Sequence, residues 1–427
     1  MKALFFILFF LQFCLCVGAQ DFDDWFQNRT LRLDYSFSGD NQSQYIFLDE
    51  MKWFDGWYGR RVNMDSLLLS GNGQICVKDS KSGQILYRYS FSTLFQEWQG
   101  TEEATRTPKS FDNIFLVPFP KYPVDITILL TDIHNKVNGR MTHHVDPNDI
   151  LIRPMSVDNN IKWKYLLQSG DSKEKIDIAF VAEGYQADEL DVYEKDCKAS
   201  IDALVSHEPF KSMIDRFNFI AVMAPSQHSG VSVPHDNVWK NTALSSNYDT
   251  FYSDRYLTTL QLKKLHNVLS GLPYEHIIIL ANTDNYGGGG IYNSYLMSAS
   301  HNKNSIPVLV HEFGHSFAGL ADEYFYDDAY EVMYPLDTEP WEPNITTLVD
   351  FKSKWADMLE PHTRIPTVPT GNDLYTQVGV YEGAGYQSKG VYRPVQECRM
   401  KINEAPDFCP VCQRAIKRMI DYSTTQE

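Results

Sequence analysis

From residue 21 to about residue 160 the apolar positions recur every second residue. Leu31, Leu33, Tyr35 and Phe37 form one series, Ile85, Tyr87, Tyr89 and Phe91 a second, and Val124, Ile126, Ile128 and Leu130 a third. Alternation of this kind sorts side chains onto opposite faces of an extended chain, so each series predicts a half-buried strand. Polar clusters such as Asp79-Ser80-Lys81-Ser82-Gly83 separate the series, and no long helical period intervenes. The pattern predicts an antiparallel β-sandwich domain over residues 20–160. His143 and His144, being adjacent, point to opposite faces of a strand and read as solvent-exposed rather than as a metal-binding pair.

Past Asn159 the period changes. Continuous apolar runs, Ile176–Val181 (IDIAFV), Phe217–Ala224 and His276–Ala281, read as buried strands, and they alternate with helical patterns over Asp188–Ser206 and Thr258–Leu269. This predicts an α/β domain over residues 161–427 with a mixed, mostly parallel sheet. Gly287-Gly288-Gly289-Gly290 lacks the following Lys-Ser/Thr and helix of a phosphate loop, so it reads as a flexible loop feeding an edge strand. Such an edge either pairs with an extended peptide through its main chain or is merely structural.

The beginning of the chain stands apart. Lys2 precedes an apolar run from Ala3 to Val17, and Val17-Gly18-Ala19 supplies small residues for cleavage, which predicts a secretory signal peptide over residues 1–19. The run is shorter than the roughly 20 apolar residues of a membrane span, and no later stretch approaches that length. The expected location is therefore outside the cytoplasm, released or held at the periplasm or cell surface, with no span in the mature chain. Losing Cys14 and Cys16 with the signal leaves Cys76, Cys197, Cys398, Cys409 and Cys412. In an oxidising compartment Cys398 is expected to bridge Cys409 or Cys412, and the odd count leaves at least one free thiol. Cys409-Pro-Val-Cys412 has no second CxxC and follows no βαβ start, which favours a structural role over zinc or redox chemistry. Asn28, Asn41 and Asn344 fit sequons for N-glycosylation, which in a bacterial chain read as chance matches. The 427 residues carry 55 acidic against 38 basic side chains, net −17 at pH 7, and that balance argues against a nucleic-acid partner.

The chemistry concentrates in Asn304–Tyr324, NSIPVLVHEFGHSFAGLADEY. Asn304 or Ser305 suits a helix N-cap, Pro307 the first turn, and Gly319 a left-handed C-terminus. His311 and His315 are four residues apart, so both imidazoles lie on one helix face and can grip one zinc ion. Glu312 follows the first of them, placed to act on the attacking water without itself binding the metal. With twelve histidines in the chain, chance HExxH matches number on the order of 0.02.

A catalytic zinc needs a third protein ligand and an open position. In the metzincin arrangement HExxHxxGxxH a glycine turns the chain so that a later residue reaches back. Here Gly319 and Asp322 each fall one residue beyond that spacing, and an aspartate replaces the histidine. Because the turn and the reach shift together, Asp322 is favoured as the third ligand, with neighbouring Glu323 and distant Glu382 as alternatives. Met400 is the candidate for a methionine turn beneath the metal, and a closing helix follows from Cys409 to Asp421. Tyr392 or Tyr386 is positioned in sequence to stabilise a developing oxyanion. His228 and His235, in a loop, read as lining a cleft or binding a second ion less readily than as neither. No GxSxG elbow is present, which removes a serine hydrolase.

These segments resemble a known family. The motif HEFGHSFAGLADEY, the upstream IDIAFVAEGY at residues 176–185, and the end from Cys398-Arg399-Met400 to Phe408-Cys409-Pro410-Val411-Cys412 look like the IgA peptidase family of secreted bacterial metallopeptidases. The resemblance spans about residues 160–424 and implies a zinc-dependent endopeptidase acting on a peptide or protein, with His311 and His315 as ligands and Glu312 as general base. It implies no specificity for immunoglobulin. The competing expectation is a secreted protein that binds a glycan or host protein through its N-terminal sandwich and holds a structural zinc.

Overall fold

The structure, a computed structural model, describes residues 21–156, 158, 161–327 and 333–425. The signal-peptide reading, with Cys14 and Cys16, lies outside these residues.

The three alternating series fold as strands β1 (Phe26–Gly39), β4 (Ile85–Phe91) and β6 (Val124–Thr131), and four further strands accompany them: β2 (Gln44–Asp55), β3 (Gly73–Asp79), β5 (Lys109–Pro120) and β7 (Val137–Val145). With the two-residue β8 (Arg153–Pro154) they form two four-stranded sheets, ordered β5-β1-β2-β8 and β4-β3-β6-β7. Every neighbouring pair is antiparallel except β2 with β8. Leu31, Leu33, Tyr35 and Phe37 of one sheet share a fully buried core with Ile75, Val77, Ile126 and Ile128 of the other. The Tyr35 hydroxyl, buried among these side chains, needs a polar partner, and it finds His143 Nε2 at 2.6 Å. His143 is therefore half-buried, not solvent-exposed as expected, while His144 faces outward to Asp125.

The α/β part is built on β9 (Lys162–Gln168), β10 (Ile176–Glu183), β11 (Phe217–Met223), β12 (His276–Ala281), β13 (Gly288–Ile291) and β14 (Tyr295–Ala299), ordered β13-β14-β12-β10-β11-β9. The interior pairings are parallel and both edges, β9 and β13, are antiparallel. The sheet is thus mixed. Its second predicted helix is shorter than expected, Leu262–Val268, because Thr258 is tied to Asn247 and Thr259 to Leu244 in extended backbone.

Both faces of this sheet are dry. Ala179, Val181, Ile220, Val222, Ile277 and Ile279 pack into the same core as the N-terminal sheets. Ile178, Phe180, Phe219 and Ile278 face the other way, toward the helices Leu190–Leu204, Ser305–Ala318 and Pro410–Thr424. A run of consecutive apolar residues is what a strand covered on both sides requires. At the end of β10, Glu183 is fully buried and accepts from Thr242 Oγ1, Leu244 N, Ser246 N and Ser246 Oγ at 2.6–3.0 Å. It anchors the chain that runs beside the sheet. A small third sheet, β15 (Phe325–Tyr326), β16 (Tyr381–Ala384) and β17 (Tyr386–Arg393), is ordered β15-β17-β16.

All five described cysteines are free. Cys398 Sγ and Cys412 Sγ are 3.8 Å apart, well beyond the ~2.05 Å of a disulfide, so the expected bridge is not formed. Asn344 is 0 % exposed and is not a glycan acceptor in the folded chain. Among the described residues no helix is long and apolar enough to cross a membrane.

A buried charge cluster ties the N-terminal sheets to the rest. Asp34 accepts from Arg32 Nε at 2.6 Å and Lys52 Nζ at 2.8 Å, and Arg32 Nη1 reaches Asn267 Oδ1 at 2.7 Å. Removing the shared anion leaves the buried Arg32 without a carboxylate and Lys52 with only the half-exposed Glu50, so Asp34→Ala should destabilise the fold by roughly 3 kcal/mol. Urea unfolding against the wild type measures this. A loss below about 1 kcal/mol would show that the cluster is solvated.

Candidate metal centre

The helix Ser305–Ala318 carries the two histidines. Asn304 occupies the N-cap position but makes no side-chain cap bond. The C-terminus forms as the sequence suggests: Gly319 is left-handed (φ 59°) and its N–H bonds the His315 carbonyl. A Cβ there would lie 2.6 Å from the Trp341 ring, so both conformation and space call for glycine. The chain then doubles back, and the Asn344 side chain pins it, accepting from Ala321 N at 2.7 Å and donating to Ala321 O at 2.9 Å.

This reversal brings Asp322 over the helix. His311 Nε2 and His315 Nε2 lie 3.0 Å apart, and Asp322 Oδ1 is 3.0 Å from the first and 3.2 Å from the second. Each Nδ1 is committed elsewhere, His311 to the Arg399 carbonyl at 2.9 Å and His315 to the Leu320 carbonyl. Carbonyls only accept, so both Nδ1 atoms carry the proton and both Nε2 atoms turn a lone pair toward the carboxylate oxygen. Three such acceptors facing one another at this distance need a metal ion or bound protons between them. The triangle also has the right size: bonds of ~2.0–2.1 Å to a tetrahedral zinc give ligand edges of about 3.3–3.4 Å. The donor set and its spacing fit a divalent metal, and the backbone carbonyls behind the imidazoles orient them as outer partners of metal ligands do.

Around the triangle the other sequence candidates separate. Glu312 lines the same cleft, and burial pushes its carboxyl above the ordinary value, although the neighbouring imidazoles pull it down. Tyr386 donates its hydroxyl to Asp322 Oδ2. Tyr392 is not brought to the cluster: six residues along an extended strand carry it about 20 Å from Tyr386, and there it pairs with Glu382 and Thr346. Glu382 is likewise away from the triangle, paired with Lys389. Glu323, next to Asp322, points to the opposite side and meets Cys412. Met400 lies beneath the helix, where a Cβ on Gly314 would sit 2.7 Å from its Sδ, and its carbonyl accepts from Glu323 N at 2.8 Å. His228 is held by Asn241 and His235 by Asp249, and neither lines the cleft.

The cleft has a volume of about 730 Å³. One wall is edge strand β13, and a Cβ at Gly290 would lie 2.4 Å from the Glu312 carbonyl oxygen. Only a glycine lets this strand run against the helix. The N-terminal part also lines the cleft, through Asn72 and Ser92 beside its strands and Glu97 on the short helix Leu94–Gln99, with Glu97 accepting from the Tyr256 hydroxyl. Sequence reasoning found none of Asn72, Glu97 or Asn344. The glycine run was the one visible signal, and it pointed to an edge strand.

Residues 165–376 and 370–420 match the family model described as IgA Peptidase M64, and residues 21–142 match Peptidase M64 N-terminus. No curated protein matches the chain.

In metal-free protein the triangle holds protons. Burial opposes charge on the imidazoles, but the Asp322 carboxylate outweighs it: His311 is pushed up, and His315 from 6.5 to about 9. Burial would raise Asp322, yet the two imidazoles hold it far below the usual carboxylate range. A raised histidine contributes stability that is complete below its unfolded value and is lost as pH rises through the folded one. Chelator-treated protein should therefore lose thermal stability between about pH 6.5 and pH 9, and the Asp322→Ala variant should not. Equal slopes for the two would refute the network.

Proposed function

Because the chain belongs to the IgA peptidase M64 family, we propose that this peptidase is a zinc-dependent endopeptidase with His311, His315 and Asp322 as metal ligands and Glu312 as general base. One observation carries the reading: two imidazole nitrogens and a carboxylate oxygen converge at 3.0–3.2 Å on the floor of an open cleft, with Glu312 beside them. A nitrogen and oxygen donor set of this size suits zinc.

When bound, zinc supplies Lewis acidity, lowering the pKa of water from 15.7 to about 7 and polarising the scissile carbonyl. The chain's own residues do the rest. Glu312, raised by burial, takes the proton of the attacking water and passes it to the leaving amine. Tyr386 orients Asp322 through its second oxygen. The carbonyls of Arg399 and Leu320 fix the histidine tautomer. Edge strand β13 is tied to Arg255 at Gly288, and beyond that point its main chain at Gly290 faces the cleft for an extended peptide, which suits cleavage within a chain. The order of ligands, the reversal at Gly319 and Met400 below Gly314 support a metzincin-like arrangement. The reading includes export, which rests on the apolar run behind Lys2. It assigns residues 20–160 and 161–427 to an N-terminal sandwich domain and a catalytic domain.

Peptide products from a diverse mixture, identified by mass spectrometry, test the proposal. The mature chain should make internal cuts that vanish with chelator. Glu312→Ala should keep its zinc and lose about 10²–10⁴-fold in turnover or more, whereas His311→Ala should lose both. Wild-type cleavage by Glu312→Ala would remove the assigned base, and chelator-resistant cleavage would remove the metal.

A further inference from the structure

Behind the triangle lies a second cluster that the reaction does not use. Glu323, Cys398, Cys409 and Cys412 each offer a ligand atom, all within 4.8 Å of one another, and all four residues are buried. The cysteines come from the turn before Met400 and from the start of the helix Pro410–Thr424, with Cys409 at its N-cap. Glu323 comes from the reversed segment that carries Asp322.

The spacing is that of a coordination sphere rather than of a disulfide. Cys398 Sγ and Cys412 Sγ are 3.8 Å apart, and two sulfurs bound at ~2.3 Å to a tetrahedral zinc are separated by about 3.8 Å. Cys412 Sγ lies 3.2 Å from Glu323 Oε1, close to the ~3.5 Å edge for one sulfur and one oxygen on zinc. The Cys409 N–H points at Cys398 Sγ at 3.3 Å, the kind of backbone bond that a thiolate ligand accepts. A second, independent observation concerns the carboxylate. Glu323 is 0 % exposed, Asn344 Nδ2 and Cys412 meet its Oε1, and its Oε2 has no hydrogen-bond partner. Without a metal, burial pushes this carboxyl well above the ordinary value despite Arg393 nearby, and an ion bound at Oε2 would supply the partner that this oxygen lacks. Three thiolates, one carboxylate and a divalent ion sum to two negative charges, and the buried guanidiniums of Arg393 and Arg399 offset them, facing Glu323 and Cys398 respectively.

We propose that Glu323, Cys398, Cys409 and Cys412 form a second metal site, structural and closed, which takes a thiophilic divalent cation such as zinc. Four protein ligands leave it no open position, so it does no chemistry. It braces the segment bearing Asp322 against the Arg399-Met400 turn, whose Arg399 carbonyl holds His311 and whose Met400 carbonyl accepts from Glu323 N.

The test separates the two sites. The wild type and the His311→Ala/His315→Ala double variant are loaded with zinc, dialysed and analysed for metal, then reloaded with cobalt for absorption spectra. The double variant should keep about one zinc per chain, and its cobalt form should show the sulfur-to-cobalt charge-transfer band. Glu323→Gln, which preserves volume and keeps the thiols, should hold this ion at least 10-fold more weakly. Its circular dichroism reports whether the fold survives. A metal-free double variant that retains its fold would overturn the proposal, as would a Cys398–Cys412 disulfide found by peptide mapping of the unreduced protein. Neither outcome touches the zinc assigned to His311, His315 and Asp322, which is read from the second equivalent in the wild type.

Discussion

Two imidazole lone pairs and a carboxylate oxygen, aimed at one point from about 3 Å apart, are the constraint around which the rest of the molecule is arranged. Left to themselves these groups repel, and burial removes the water that would screen them. The surrounding architecture holds them together. Gly319 reverses the chain, Asn344 locks the reversal, the carbonyls of Arg399 and Leu320 take the outer imidazole protons, and Tyr386 steadies the free oxygen of Asp322. These supports come from four stretches of sequence, between residue 319 and residue 399.

That dispersal decides what the sequence makes legible. His311, Glu312 and His315 lie within one helical turn and a half, so spacing alone brings their side chains together. Asp322 is reached by one further step, a turn at glycine. Tyr386 and Tyr392 share a strand and a chemistry, and nothing in their neighbours in sequence tells which faces the cleft. The three-dimensional pairing of β15 with β17 does, because it sets Tyr386 beside the Asp322 loop. Asn344 resembles a surface sequon and is instead the pin of the reversal. Its burial follows from contacts more than twenty residues away.

The fold shows the same division. Period-two alternation marked β1, β4 and β6 of the N-terminal strands, and uninterrupted apolar runs marked β10, β11 and β12 of the central sheet. The inward turn of His143 was not visible, since it depends on Tyr35 in the facing sheet. The cysteines failed for a related reason. Counting and spacing suggest pairs, but a carboxylate that arrives from elsewhere in the chain alters what three clustered thiols are fit to hold. Glu323 stands next to Asp322 in sequence and serves the opposite side of the same segment.

The central sheet has no face suited to water: one side meets the helices, the other the N-terminal strands through Ala179, Val181, Ile220 and Val222. The N-terminal part is therefore not an appendage that recombination can exchange freely. A graft from another protein would have to arrive with a complementary apolar surface, and would at the same moment redraw the rim of the cleft at Asn72, Ser92 and Glu97. The same part of the chain thus covers the central sheet and borders the cleft.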